Sequence, residues 1–567
     1  MPLTKVSYSM ITGAPVNVLD YGADPTGVAN STAAFQLASA AVEAQDGGKL
    51  VIPAGTYTVG SQTFAGATGL GYSYLGARII NIRNCTKPLV IEFQGVTLKL
   101  ASGLKFGSYN PITGAIYNPA SMPFVDIDYR ADVGVMIDVE SNADVSIIGT
   151  CELDGNIQNI ALGGTWGDTG YQCTGYGILA YFNALAYFEN IYTHHHALDG
   201  IAIGNNLTST AAANPTTLTN IVSEYNARQG ISIVGGIGIT VNNSKFNFIG
   251  RSTFNSGPAA GIDLEAEGGV IRRVIFNNCE AIGNVGAGMV ADSGDTADVT
   301  FNDCKFVGTT NYSIWPKKPQ MVFNSCLIVG AMVNTFGSAT YPDLANKFFN
   351  CRITDYVAFG FGGLTYNGTG LLIDSQGGGS VLFENCLFEA GRQKLGQIFL
   401  ATIRNCTMIQ SGGTDVGIVN KDWVLLLNGS EFNNLRIIDL ISATPVDGYF
   451  IGLDSTLNYY GNNFLSSLGP IRWFTWSAAG GGSTGVLGQN NGVLAPNTYL
   501  ALGKSTGNRL IGFYGQLKIA AGPAVPTVDT WAVGDRCVNS NPIVGQPKGW
   551  ACTVAGTPGT WVSEGNL

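Results

Sequence analysis

Residues 276–279 read FNNC, and the phrase returns as FNDC at 301–304, FNSC at 323–326, FFNC at 348–351, FENC at 383–386 and IRNC at 403–406. An early copy, IRNC, stands at 82–85, and FNNL at 432–435 has Leu435 in the cysteine place. From Cys279 to Cys406 the steps are 25, 22, 25, 35 and 20 residues. Periods of this size mark a solenoid, in which each repeat buries its apolar face only against its neighbours. The 35-residue step reads as a loop insertion. Phe and Cys alternate with polar residues, so each phrase predicts one short strand with a turn, Phe and Cys facing inward. Cysteine then acts as a small hydrophobe. The close CxxC or CxxH spacing of a zinc site is absent from these phrases.

A second repeat lies upstream. NIYTHHHALDGIAI (190–203) aligns without gaps to NIVSEYNARQGISI (220–233), and GIDL (261–264) and GMVA (288–291) keep its ending. This alignment predicts Ile201, Ile231, Ile262 and Met289 stacked inside. Ala202, Ser232, Asp263 and Val290 then form one outward column.

The composition agrees with a coiled all-β chain. Among 567 residues there are 77 glycines, and only 12% are charged against 45% hydrophobic, which excludes disorder. A net charge of −10 argues against a nucleic-acid partner. The opening residues contain no apolar signal region, and no apolar run is long enough to insert into a membrane. Eleven cysteines, an odd number spread over a long chain, do not make a disulfide framework.

At the N-terminal side, VNVLDYGADPTG (16–27) predicts a strand and a turn. NSTAAFQLASAAVEAQDGG (30–48) predicts a helix with Ser31 or Thr32 as N-cap and Gly47 at its end. Its apolar face is Phe35, Ala38 and Val42. KLVIPAGTYTVG (49–60) returns to strand. A solenoid must cover its first turn, because an open end exposes apolar side chains and unpaired backbone, and this helix suits that task.

VNVLDYGADPTG, STAAFQLA and GGKLVIPAGTYTV together closely resemble the opening of the pectate-lyase-like β-helix proteins. The lead-in KVSYSMITGAPVNVLDYGA is similar to the start of bacteriophage tailspike depolymerases. The ending TWAVGDRCVNSNPIVGQPKGWACTVAGTPGTWVSEGNL (530–567) is similar to a short module on phage tail proteins. The resemblance implies a right-handed parallel β-helix and a homotrimeric tailspike of the virion that binds and cuts a bacterial capsular polysaccharide. The expected organisation is a virion-attachment peptide (1–15), a cap (16–60), the β-helix (61–440), a β-rich trimerisation region (441–522) and a small tail-protein module (523–567). The short leading peptide is expected to dock onto another phage tail protein.

Polysaccharide hydrolases need two carboxylates, whereas lyases need a base and a cation beside a uronate carboxylate. GIDLEAEGG places Asp263, Glu265 and Glu267 on alternate positions of one strand face, and the alignment sets Glu265 beside Asp292 on the next turn. Strand neighbours two apart stand ~6.7 Å apart and stacked turns ~4.8 Å apart, spacings that span both carboxyl separations of glycosidases. Crowded like charges also raise a pKa, as a general acid requires. Asp263, Glu265, Asp292 and Glu224 are therefore the candidate catalytic residues. A solvated acidic face or a structural calcium site is the plainer alternative.

His194, His195 and His196 are the chain's three histidines, and the alignment stacks His194 on Glu224. A His–carboxylate pair can do acid–base work or hold a sugar. The triplet can also bind a transition metal, but no metal and no cofactor is assigned. Asp199 and Arg228 follow in the next turn region, with Arg228 the best nearby cation for an acidic sugar. WGDTGYQCTGYG (166–177) offers Trp166, Tyr171 and Tyr176 as stacking platforms in a glycine-rich loop. Hydrolysis is favoured by the acidic cluster. A lyase and a non-enzymatic receptor-binding spike are the alternatives.

Overall fold

The computed structural model describes residues 13–166, 172–209, 213–308, 312–355, 371–375, 379–411, 425–428, 430–439, 449–452, 458–459, 463–466, 486–487, 509–514, 517–528 and 530–567. The chain divides into two compact units, one of residues 1–329 with 363–367 and one of the remaining residues from 330 on.

The first unit is a right-handed parallel β-helix. One turn comprises the strands Ala186–Glu189, Ile191–His194 and Asp199–Gly204. The next comprises Thr216–Thr219, Val222–Glu224 and Gln229–Ile233, and a third Ile239–Asn242, Lys245–Asn247 and Ala260–Leu264. Each strand pairs in parallel with its counterpart one turn on. The third strands of successive turns form a sheet of their own, from Arg78–Arg83 to Ile314–Pro316 in this unit. In that sheet Ile178, Ile201, Ile231, Ile262, Met289 and Ile314 are in register, which is the inner stack expected from the repeat.

The FNxC phrase is a corner rather than one strand with a turn. Phe276 is buried, Asn277 ends the first strand, Asn278 turns the chain at φ 50°, and Cys279 re-enters the core. Asn190, Asn220, Asn243, Asp303 and Ser325 hold the same left-handed conformation at matching corners. That conformation costs ordinary L-residues about 1–2 kcal/mol, and Asn and Asp tolerate it best. The stacked corners reinforce one another. Asn277 donates to Asn242 at 2.9 Å, Asn302 to Asn277 at 2.9 Å, and Asn324 to Asn302 at 2.8 Å. Inside, Phe301 stacks on Phe276 at 5.0 Å and on Phe323 at 4.9 Å. The Cys304 and Cys326 thiols lie 3.5 and 3.4 Å from the carbonyls of Phe276 and Phe301 one turn back. All eleven cysteines are free and buried.

The helix Thr32–Ala44 packs Phe35, Ala38 and Val42 inward, with the Phe35 ring edge-on to Tyr57 at 5.4 Å. Ser31 occupies the N-cap position but makes no side-chain cap bond, because its hydroxyl accepts from the Asp24 N–H at 2.9 Å. The preceding Asn30 accepts from the Thr32 N–H instead, also at 2.9 Å. No helix among the described residues is long and apolar enough to cross a membrane.

The second unit repeats the corner: Phe348 stacks on Phe383 at 4.9 Å, and the Cys386 thiol lies 3.4 Å from the Phe348 carbonyl. Its ladder includes Tyr449–Gly452 and Asn463–Ser466. A five-stranded sheet, Arg509–Tyr514, Leu517–Gly522, Arg536–Asn539, Gly549–Val554 and Thr560–Ser563, follows. Trp531, Cys537, Trp550 and Cys552 form its core, with Trp561 against them.

Truncating a ring in the phenylalanine stack leaves a cavity that the rigid ladder cannot close. Phe301→Ala is expected to cost about 3–5 kcal/mol, read as an earlier thermal transition and faster unfolding in denaturant.

Candidate functional site

The third-strand sheet carries most of the singled-out residues, and its local geometry explains how. Ile201 and Ile231 face inward, and so do Gly200 and Gly230 just before them. A Cβ on Gly200 would run into the Ser223 hydroxyl, and one on Gly230 would meet the core residue Phe246. Two successive inward positions turn the preceding residue outward. Asp199 and Gln229, partners in the ladder, thus share the outer face with the column Leu179, Ala202, Ser232, Asp263, Val290 and Trp315. Tyr176, two residues before Ile178 as Asp199 is before Ile201, takes the same place one turn earlier.

This column is in the expected register but is not a solvated face. Asp263 is 1% exposed. The Gln229 amide donates to its Oδ2, while its Oδ1 has no hydrogen-bond partner among the described residues. Gln229 is itself oriented by accepting from the Ala260 N–H at 3.2 Å. Burial first, and then the negative charge of Glu265, push the Asp263 carboxyl well above its usual range. Glu265 is half-buried and accepts from Ser293 at 3.1 Å. Burial and the neighbouring Asp292 raise it too, against the Ser293 bond. Glu265 and Asp292 each stand two residues beyond the paired Asp263 and Val290, which puts them on adjacent turns. At the end of the column, the indole N–H of Trp315 is also buried without a hydrogen-bond partner among the described residues.

Arg228 is not the free cation expected for an acidic sugar. Its Nε and Nη2 donate to the two oxygens of the fully buried Asp199, each at 2.8 Å, and its Nη1 donates to Gln172. Burial opposes the charged guanidinium, but Asp199 outweighs it and holds Arg228 protonated. Both ends of this fork are consumed inside the protein, so the pair is a brace for the face.

Gln172 also lines a cavity of about 250 Å³ with Phe106, Leu162, Trp166, Phe254 and Asn255. Phe106 and Phe254 are stacked at 5.6 Å, and Trp166 is held edge-on by Phe124 at 5.6 Å. Trp166 thus lines a built aromatic pocket reached through Gln172 from Arg228. Tyr171 lies outside the described residues. Phe106, Phe254 and Gln172 escaped the sequence reading because no motif links residues that meet only through loops.

His194 and Glu224 sit elsewhere. Both end second strands, on the other side of a turn from Asp199, and their ladder pairing is the one expected. The side chains nevertheless part. His194 Nε2 lies 3.0 Å from Glu152 Oε1 on the previous turn. Glu224 accepts from Asn247 at 3.3 Å. Glu224 therefore does not join Asp263, Glu265 and Asp292, because it belongs to a different sheet.

Comparison with known proteins adds the following. Residues 169–318 match the family model described as right handed beta helix region. Residues 15–68 match the model described as rhamnogalacturonase A/epimerase, pectate lyase-like. Among solved structures, the N-terminal fragment of bacteriophage Phi29 gene product 12 is 13% identical, with 80% of this chain and 70% of that one covered and a TM-score of 0.45. The A-module of mannuronan C-5 epimerase AlgE4 from Azotobacter vinelandii is 12% identical over 84% of this chain and 100% of that one, at a TM-score of 0.39. The tailspike gp49 of Acinetobacter baumannii bacteriophage Fri1, a capsular polysaccharide depolymerase, is 11% identical over 81% and 64%, at 0.30. No curated protein matches the chain.

A carboxyl whose folded pKa is raised favours the fold below its unfolded value and loses that contribution as pH rises through the folded one. Asp263→Asn removes this charge cost, so it is expected to raise the melting temperature at pH 8 and to change it little at pH 4, measured by scanning fluorimetry.

Proposed function

We propose that this protein is a polysaccharide depolymerase that cuts a glycosidic bond of a bacterial capsular polysaccharide by hydrolysis on the third-strand face. The observation that carries the reading is the carboxyl cluster: Asp263, buried with an unpartnered oxygen, beside Glu265 and Asp292 on adjacent turns. Buried polar atoms in folded proteins are nearly always paired, so a buried carboxyl short of one partner is a local cost, and such costs gather at functional sites.

In this reading Glu265 is the general acid. It is half-buried, and its raised pKa keeps a proton available for the leaving oxygen. Asp292 is the opposing carboxylate, which attacks the anomeric carbon or activates water. Asp263 lies beneath them and keeps its proton, so Glu265 and Asp292 are the carboxyls that meet the substrate. The cavity with Trp166, Phe106 and Phe254 supplies a stacking subsite beside the Asp199–Arg228 brace. β-Elimination would need a cation over a uronate carboxylate, and Arg228 is already taken by Asp199. The pectate-lyase-like match of residues 15–68 supports a polysaccharide substrate. The resemblance of both ends to phage tail proteins supports a virion location, a homotrimer and docking of the N-terminal peptide on another tail protein.

The test is digestion of a panel of purified capsular polysaccharides with product masses read by mass spectrometry. Products carrying one added water per cut are expected. Products lacking that water and absorbing in the ultraviolet would establish a lyase, and tight binding with no change in polymer size would establish an adhesin. Glu265→Gln is expected to lower kcat/KM by roughly 10²–10⁴-fold at a melting temperature no lower than the parent's. In the parent, kcat/KM should fall on the alkaline side as Glu265 loses its proton.

A further inference from the structure

The histidine corner is a second cluster of donors, and the carboxylate face does not use it. Ladder pairing sets Asp154 on one turn beside His194 on the next. His195 follows at φ 57°, and this left-handed corner swings its ring back toward His194. The two Nδ1 atoms stand 2.6 Å apart, and Asp154 Oδ1 lies 3.9 Å from His194 Nδ1. One donor atom from each of Asp154, His194 and His195 falls within 4.8 Å of the others.

We infer that Asp154, His194 and His195 bind a divalent transition metal of the zinc type, with Glu152 as the positioning residue. Glu152 Oε1 lies 3.0 Å from His194 Nε2 and, as an acceptor, draws the ring proton there. That leaves the Nδ1 lone pair facing His195 and Asp154, the carboxylate–histidine arrangement that orients metal ligands. With two Nδ1 lone pairs converging, either a proton or a cation must lie between them. The rings are fixed from behind: Tyr192 stacks on His194 at 4.3 Å and Tyr225 on His195 at 5.2 Å.

The donor set selects the ion. Two imidazoles and one carboxylate suit zinc, cobalt, nickel or copper, whereas calcium and magnesium prefer oxygen ligands. Ligand bonds of about 2.0–2.1 Å in a tetrahedral site place donors about 3.3 Å apart. The observed 2.6 and 3.9 Å lie on either side of that value, and all three donor atoms fall within 4.8 Å of one another, so rotations of the two rings and the carboxylate bring them onto one ion. Lys99 occupies the other oxygen of Asp154 at 3.0 Å, and the Asn156 N–H donates to Oδ1 at 2.8 Å, leaving Oδ1 one further lone pair. Half-buried His195 leaves the solvent side open to water as a fourth ligand. The ion would clamp two turns of the coil together, and its role is separate from the cleavage proposed above.

The chain has only three histidines, and the third, His196, is fully buried, with its Nε2 2.9 Å from Thr193 Oγ1 and 3.1 Å from the Leu153 carbonyl. Imidazole-dependent binding therefore reports this site alone. Full-length, tag-free protein stripped with chelator would be titrated with zinc chloride by calorimetry and melted with and without zinc. The expected result is one zinc per chain with micromolar or tighter affinity, a raised melting temperature, and no comparable response to calcium or magnesium. His195→Ala should abolish binding, and zinc should no longer raise its melting temperature above its own metal-free value. Glu152→Gln should weaken binding roughly 10–100-fold. Binding no tighter than millimolar, or an unchanged affinity in His195→Ala, would overturn the inference, whatever the outcome of the digestion assay.

Discussion

Each turn of this coil depends on a residue that can hold positive φ at a corner. A parallel solenoid repeats the same backbone path, so a corner that is strained once is strained at every level. The chain meets this constraint with Asn, Asp or Ser at the first corner, from Asn190 to Ser325, and again at Asn350, Asn385 and Asn405. With the corner in place, register follows. The asparagine just before it bonds its counterpart one turn away, the phenylalanine before that stacks, and the cysteine after it packs under the carbonyl of the turn below. At Phe301 a shift of one position would expose the ring and bury Asn302, which is why the ladder holds a single register.

The outer face of the third sheet works against that stability. Asp199 and Asp263 are buried charges or potential charges and Arg228 is largely buried, and such groups are costly unless paired. Asp199 and Arg228 satisfy each other almost completely. Asp263 does not, since Gln229 serves one of its oxygens only. A half-satisfied carboxyl beside two more carboxyls is poor packing and suitable acid–base chemistry, and such local costs gather at functional sites.

The second corner shows how one backbone feature serves different ends. His195, Tyr225 and Phe248 all sit there at positive φ and stack in sequence at 5.2 and 5.3 Å. Bulky residues at left-handed positions are unusual, and here each ring supports the next. At the histidine level the stack also aims two nitrogens at one point.

The solenoid was legible in the chain because its cause is periodic. FNxC recurs, the inward isoleucines recur, and an inner stack needs only side chains of like shape at like intervals. The capping helix was legible from Phe35, Ala38 and Val42 for the same reason, while the bond made by Asn30 in place of Ser31 depended on where Asp24 came to rest. The outward acids were legible as a cluster, since Asp263 and Glu265 share a strand face by alternation. What tertiary structure decided is who pairs with whom across that surface. Arg228 chose Asp199 and Gln172, His194 chose Glu152 over Glu224, and Phe106 met Phe254 across the pocket beside Trp166. The physical reason is that backbone periodicity sets the level and face of each residue. The direction of a long polar side chain is set by burial and by partners that arrive from loops, and these have no period.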